Sequence, residues 1–169
     1  MSWFLLGVIA CGGGDKADGT GETGDTEPTT VPGECVSGEE WRGGDEESPL
    51  MHPGMDCIDC HAARREGPAF AIAGTVFTNL HEPDDCNGRD DVVVEITDAD
   101  GTVFEAPANG AGNFFLEEFE VAIDLPYTAR ILVGGVETNA MVSEQNDGAC
   151  NTCHTRAGHH DAPGRITAE

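Results

Sequence analysis

Basic residues are scarce in this chain. Its 169 residues include 8 Lys and Arg against 32 Asp and Glu, for a net charge of -24. Nucleic-acid binding needs a basic footprint against phosphate, so that class of partner is excluded. Aromatic residues make up only 6%, and a core built from so few large rings is modest. Apolar runs are short: Trp3 to Ala10 falls far below the ~20 residues that a membrane-spanning helix requires. Acidity of this size favours solubility and steers a protein toward basic partners. A solvated surface adapted to salt, or an acidic proteome, would give the same composition.

What the chain does hold is cysteine in a repeated setting. Cys57-Ile58-Asp59-Cys60-His61 and Cys150-Asn151-Thr152-Cys153-His154 both read CxxCH, the attachment signature of a c-type haem. Each thiol adds to one vinyl group of the porphyrin, and the two-residue spacer lets both sulfurs reach from a single turn. The histidine that follows lies under the iron as its proximal ligand. The pattern predicts two covalent haems c. Cys57, Cys60 and His61 would hold one; Cys150, Cys153 and His154 would hold the other. Two CxxC pairs also suit a four-cysteine zinc site, and one pair alone suits a redox dithiol. Neither needs a histidine directly after both pairs. With 6 histidines in 169 residues, chance places one at both positions on the order of once in a thousand. That ratio decides for haem.

Haem attachment to CxxCH takes place outside the bacterial cytoplasm, so an export signal is expected. Residues 1–10 read as a signal peptide with a short apolar region. Val8-Ile9-Ala10-Cys11 resembles a bacterial lipobox, which predicts a lipid on Cys11. No Lys or Arg precedes the apolar stretch, an atypical feature, and a plain cleaved signal is the alternative. Residues 11–34 are expected to form a lipid-anchored disordered tether. Gly, Asp, Glu and Thr dominate it, and it has too little apolar surface to bury. A flexible coil of about 23 residues spans roughly 25 Å. These features place the protein in the bacterial cell envelope, at the periplasmic or outer-membrane surface. Of the seven cysteines, Cys35 and Cys86 are then left over. In an oxidising compartment they are expected to join as a disulfide.

The remaining chain is one domain's worth of residues. Residues 35–69 carry the first haem motif with little regular pattern. Residues 70–137 read as strands. Ala69 to Leu80, Val92 to Thr97, Thr102 to Ala106, Phe114 to Leu116 and Tyr127 to Val133 are short, apolar or alternating, and parted by turn residues. Asp98-Ala99-Asp100-Gly101 marks a hairpin turn. Residues 138–169 carry the second haem motif. The fold class expected is mainly β: a small antiparallel β-sandwich flanked by two haem-binding irregular or short-helical segments.

Several pieces of the strand region resemble the carboxypeptidase regulatory-like (transthyretin-like) β-sandwich family. They are Ala73-Gly74-Thr75-Val76, Val92 to Gly101, Gly110-Ala111-Gly112-Asn113-Phe114 and Pro126-Tyr127-Thr128-Ala129. The resemblance covers about 65 residues and implies a non-catalytic scaffold or binding module. Residues 50–166 also resemble a group of bacterial dihaem c-type cytochromes, often lipoproteins. The matching flanks are Met51-His52-Pro53-Gly54-Met55-Asp56-Cys57 and Ala162-Pro163-Gly164-Arg165-Ile166. No catalytic activity comes with that resemblance.

The distal ligands are less determined. Met51 stands where the resembling group has its methionine, with His52 beside it and Met55 too close to Cys57 to loop over a ring. For the second haem, Met141 lies nine residues before Cys150. His81, His159 and His160 are alternatives. Core packing is the competing role for each methionine, and a solvated loop for His159 and His160. Arg165 is expected to pair with a propionate. The two motifs flank the sandwich, and the haems would approach each other if its first and last strands end on one side. The expected function is electron transfer without substrate turnover. One rival is a peroxidase-like haem enzyme with one open iron, served by His159 or Glu144. The other is a subunit of an extracellular cytochrome polymer.

Overall fold

The computed structural model describes residues 34–168. The signal peptide expected over residues 1–10, the lipid site at Cys11 and the tether up to residue 33 lie outside the described residues. In chain order the described residues form α1 (Cys57–Arg64), β1 (Phe70–Phe77), β2 (Val92–Thr97), β3 (Val103–Pro107), β4 (Asn113–Glu117), β5 (Thr128–Val133), β6 (Val136–Ala140), α2 (Cys150–Cys153) and β7 (Ile166–Thr167). The fold is mainly β. One sheet has the order β4-β1-β7 and the other β3-β2-β5-β6, and together they make the small sandwich that the alternating segments predict.

Alternation builds the larger sheet. Val92, Val94 and Ile96 of β2 are buried, as are Ala106 of β3 and Ile131 of β5. They meet Ile72 and Val76 of β1 and Phe114 of β4 in one core. Each buried branched side chain contributes roughly 1.5–3 kcal/mol by leaving water. On the outer face Arg130 stands opposite Glu95. It donates to Glu95 Oε1 at 2.6 Å and to Glu137 Oε2 at 3.0 Å, a set of cross-strand charge pairs. The β2–β3 turn forms where its sequence predicts: Asp98 Oδ1 accepts from the backbone N–H groups of Asp100 and Thr102.

Two features depart from the sequence reading. β6 carries the sandwich to Ala140, past the boundary placed at residue 137. Every residue in it is exposed, so no apolar alternation announces a strand. β7 comes from the C-terminal segment and pairs with β1 in parallel, so the smaller sheet is mixed rather than purely antiparallel.

β1, the central strand of the smaller sheet, is buried on both faces, whereas a bare two-layer sandwich would cover only one. Ile72 and Val76 enter the core. Ala73, Thr75 and Phe77 alternate to the other face and are also almost fully buried. The two CxxCH segments lie against this strand, and the helices of both pack on β1. The Cys35–Cys86 disulfide is formed, with the Cα atoms 5.3 Å apart. Around it Trp41 N–H donates to Asp85 O at 2.6 Å and Asn87 N–H to Glu39 O at 2.9 Å. The start of the described chain is thus tied against residues 85–87.

Candidate functional site

The first motif sits on α1. Asp56 starts the helix as its N-cap, its carboxylate accepting from Asp59 N–H at 3.0 Å, which satisfies a backbone donor the helix itself cannot. Positions 57, 60 and 61 fall on one helical face, so Cys57, Cys60 and His61 point the same way. His61 Nδ1 lies 2.8 Å from the Pro68 carbonyl oxygen. A carbonyl only accepts, so Nδ1 is the donor, and in the neutral ring Nε2 is the nitrogen with the lone pair. That is the tautomer a metal-bound imidazole uses, with its other nitrogen anchored by the protein. Gly67 has φ 75, and a Cβ there would stand 3.0 Å from His61 Cε1. The loop is bare where the ring passes. The Phe70 ring packs beside His61 at 4.9 Å between centroids.

The second motif interrupts an edge of the smaller sheet. Ala73 N–H donates to Gly148 O at 3.0 Å, and Ala73 bridges Ala149 in parallel. Further along β1, Val76 and Phe77 pair with Ile166 and Thr167. The chain therefore leaves this edge after residue 149 and rejoins it at 166, and the excursion between holds Cys150, Cys153 and His154. Gly74 lets α2 come close: a Cβ there would lie 2.8 Å from the Phe114 ring and 2.9 Å from Cys150 Cβ. His154 Nδ1 lies 3.0 Å from the Gly164 carbonyl, repeating the arrangement at His61. Burial lowers the His154 pKa, and the Gly164 bond opposes this only in part, so the ring is neutral at pH 7 and Nε2 is available.

Beside this motif is a cavity of about 330 Å³, lined by Cys150, Cys153, His154, Tyr127, Met141 and His160 among others. Its size falls within the range of about 300–1,000 Å³ usual for ligand sites. The distal candidates separate around it. Met141 and His160 are in the wall. His159 packs on His160, ring centroids 3.9 Å apart. His81 is clasped next to the motif: its Nδ1 donates to Arg156 O at 2.8 Å, and Arg156 Nε donates to His81 O at 3.1 Å. His52 has both nitrogens engaged, with Asp85 Oδ1 at 2.8 Å and Asp45 Oδ1 at 3.2 Å. Met51 and Met55 are half-buried. Their carbonyls accept from Asn113 Nδ2 and Asn151 Nδ2, at 2.9 and 2.8 Å.

Cys57, Cys150 and Cys153 are free thiols. Cys60 is disulfide-bonded, so any thioether there requires that bond to be opened first. Burial pushes the Cys57 thiol up to about 11, helped by the charge of Asp56. Burial also pushes the Cys150 thiol up to about 12, opposed by its interaction with the Tyr127 hydroxyl, and Cys57 is near enough to add to the rise. A redox dithiol works through a lowered pKa; these two are raised. Among the described residues, the cluster with three metal-capable groups is Cys35, Glu82 and Cys86, and its two sulfurs are joined to each other. The motif sulfurs make no such group, so the zinc arrangement is not assembled. Two thiols and a carbonyl-anchored imidazole at the second motif fit a covalently held haem, and the first motif offers the same set only once Cys60 is released from its disulfide.

Sequence reasoning missed the residues that join the motifs. Thr75 Oγ1 donates to Asn113 Oδ1 at 2.7 Å and accepts from Gly54 N–H at 2.9 Å. Asn151 Oδ1 accepts from Thr75 N–H at 3.2 Å. Arg165, assigned above to a propionate, is 2% exposed. It donates to the carbonyls of Glu82, Gly54 and His154 at 2.9, 3.1 and 3.4 Å and pairs with Asp84, with its guanidinium carbon 4.9 Å from the centre of the Phe77 ring. Its donors serve the protein. One signal was readable: Thr75 is the polar residue in the middle of an apolar strand. Asn151, inside a CxxCH, gave none.

Compared with family models, with curated proteins and with solved structures, the chain shows no match.

Proposed function

We propose that this protein is a dihaem c-type cytochrome that carries electrons in the bacterial cell envelope. The observation that carries this reading is the pair of histidines. His61 and His154 each follow a CxxC, and each has Nδ1 bound to a backbone carbonyl. The protein thereby orients each ring and makes Nε2 the nitrogen that carries the lone pair in the neutral imidazole, as second-shell bonds do for metal-ligating imidazoles. Haem c would supply the one-electron iron couple. Cys57, Cys60, Cys150 and Cys153 would hold it. Met141 is supported as a distal ligand by its place in the cavity wall, which His160 shares; Met51 is the proposal for the first motif. A histidine and a methionine at each site would leave the group no open position for a substrate, so electron transfer rather than turnover is the activity proposed. The net charge of -24 favours basic redox partners. The lipid at Cys11 that would anchor the protein to the membrane is part of the same proposal.

The test is to export the full chain with haem-maturation machinery and measure intact mass and visible spectra with and without dithionite. Two haems of added mass, sharp reduced bands and no change with carbon monoxide are the expected result. A haem-free mass would return the cysteine pairs to thiol or zinc chemistry. An iron that takes up carbon monoxide would turn the reading toward an enzyme with an open site.

A further inference from the structure

We infer that Asn151 and Arg165 are positioning residues that lock the two CxxCH segments into one rigid unit on β1, so that the two haems act as a coupled pair. The inference rests on the dihaem reading above and adds the relation between the sites.

Asn151 belongs to the second motif, between its two cysteines. Its Nδ2 donates at 2.8 Å to the carbonyl of Met55, 96 residues away and two before Cys57. Its Oδ1 accepts from Thr75 N–H in β1. Thr75 in turn accepts from Gly54 N–H, just ahead of the first motif. One buried side chain and one strand residue therefore bond to both segments. Arg165 repeats this bridge from the other side. Its Nη1 is within reach of the Gly54 carbonyl at 3.1 Å and the His154 carbonyl at 3.4 Å, and so spans 111 residues of sequence to Gly54.

The bridges end on backbone groups, so they fix main-chain positions rather than a mobile side chain. Both bridging residues are buried, at 5% and 2% exposure, where breaking a bond leaves a polar group without water. The gap between the motifs is thus constant. Electron transfer falls steeply with distance, so a fixed spacing of the two motif backbones would give one internal exchange rate. A unit of charge added at one site also raises the cost of adding another nearby, in a medium of low effective permittivity.

The experiment uses the full-length holoprotein. Intact mass first counts the haems. Electron paramagnetic resonance of the oxidised protein and a potentiometric titration then report coupling. The expected spectrum differs from the sum of two isolated low-spin irons, and the first electron lowers affinity for the second roughly tenfold. Asn151→Asp keeps the acceptor for Thr75 but loses the donor to Met55, and Asn151→Ala loses both. Either variant that retains two haems should show weaker coupling. Two haems whose spectrum is the plain sum, with independent titrations unchanged in Asn151→Ala, would overturn the inference and leave the dihaem reading standing. Fewer than two haems in the wild type would overturn both.

Discussion

The thiols of Cys57 and Cys150 are set by burial more than by neighbours. Because burial pushes them up to about 11 and about 12, thiolate is scarce at pH 7 and nucleophilic attack is slow. In the haem-free protein, alkylation at these two positions should run at least tenfold slower than at an unhindered cysteine. Peptide mapping after timed labelling measures it, and a fast rate at both would favour a redox dithiol. Arg165 is the other residue on which much depends. Arg165→Met keeps an apolar stem over Phe77 but removes donors from three carbonyls, of which those of Gly54 and Glu82 belong to buried residues. Asp84, about half exposed, can return to water. The expected loss is about 3 kcal/mol, read by urea denaturation, and a loss under about 1 kcal/mol would mean that these bonds are replaceable.

Among elements, the strands were the most legible. β2 was read over its full length, since Val92, Val94 and Ile96 alternate with outward residues; β1, β3, β4 and β5 were placed within a few residues. β6 was missed because an all-exposed edge strand has no apolar period, and β7 because its two residues are a strand only by virtue of lying beside β1. The disulfide and Tyr127 show how loops are held to these strands. Cys35 and Cys86 close a loop across 51 positions. Replacing both with serine should cost about 4 kcal/mol by freeing the unfolded chain, seen as a lowered denaturation midpoint under oxidising conditions. Tyr127 is almost fully buried and its hydroxyl donates to Asp147 O at 2.8 Å, next to where the chain leaves for the second motif. Tyr127→Phe should lose about 1 kcal/mol and speed amide exchange in residues 145–149. Unchanged exchange there would show that the hydroxyl does not hold the loop.

For the whole molecule, charge dominates what reaches the surface. With a net charge of -24, encounter with a cationic redox protein should be steered and therefore salt-sensitive. The second-order electron-transfer rate should fall at least tenfold between about 0.01 M and 0.15 M salt, as the screening length shrinks from roughly 30 Å to 8 Å. A salt-independent rate would leave the acidity as a solvated surface with no role in partner choice. The same scale explains the two-sided burial of β1: with few aromatics, this sandwich gains core by letting both CxxCH segments cover one of its strands.

By itself the sequence determined what is local. The two CxxCH motifs, the period-two strands, the Asp98–Gly101 turn and the pairing of the leftover cysteines all follow from neighbours along the chain or from counting. The tertiary structure decided what depends on distance through space. It set which carbonyl orients each histidine and put Met141 and His160 into one cavity wall. It also placed carboxylates at both nitrogens of His52, and it brought residues 54, 75, 151 and 165 together. No period or spacing encodes those meetings, because each joins groups tens of residues apart whose bonds exist only once both segments have packed on β1.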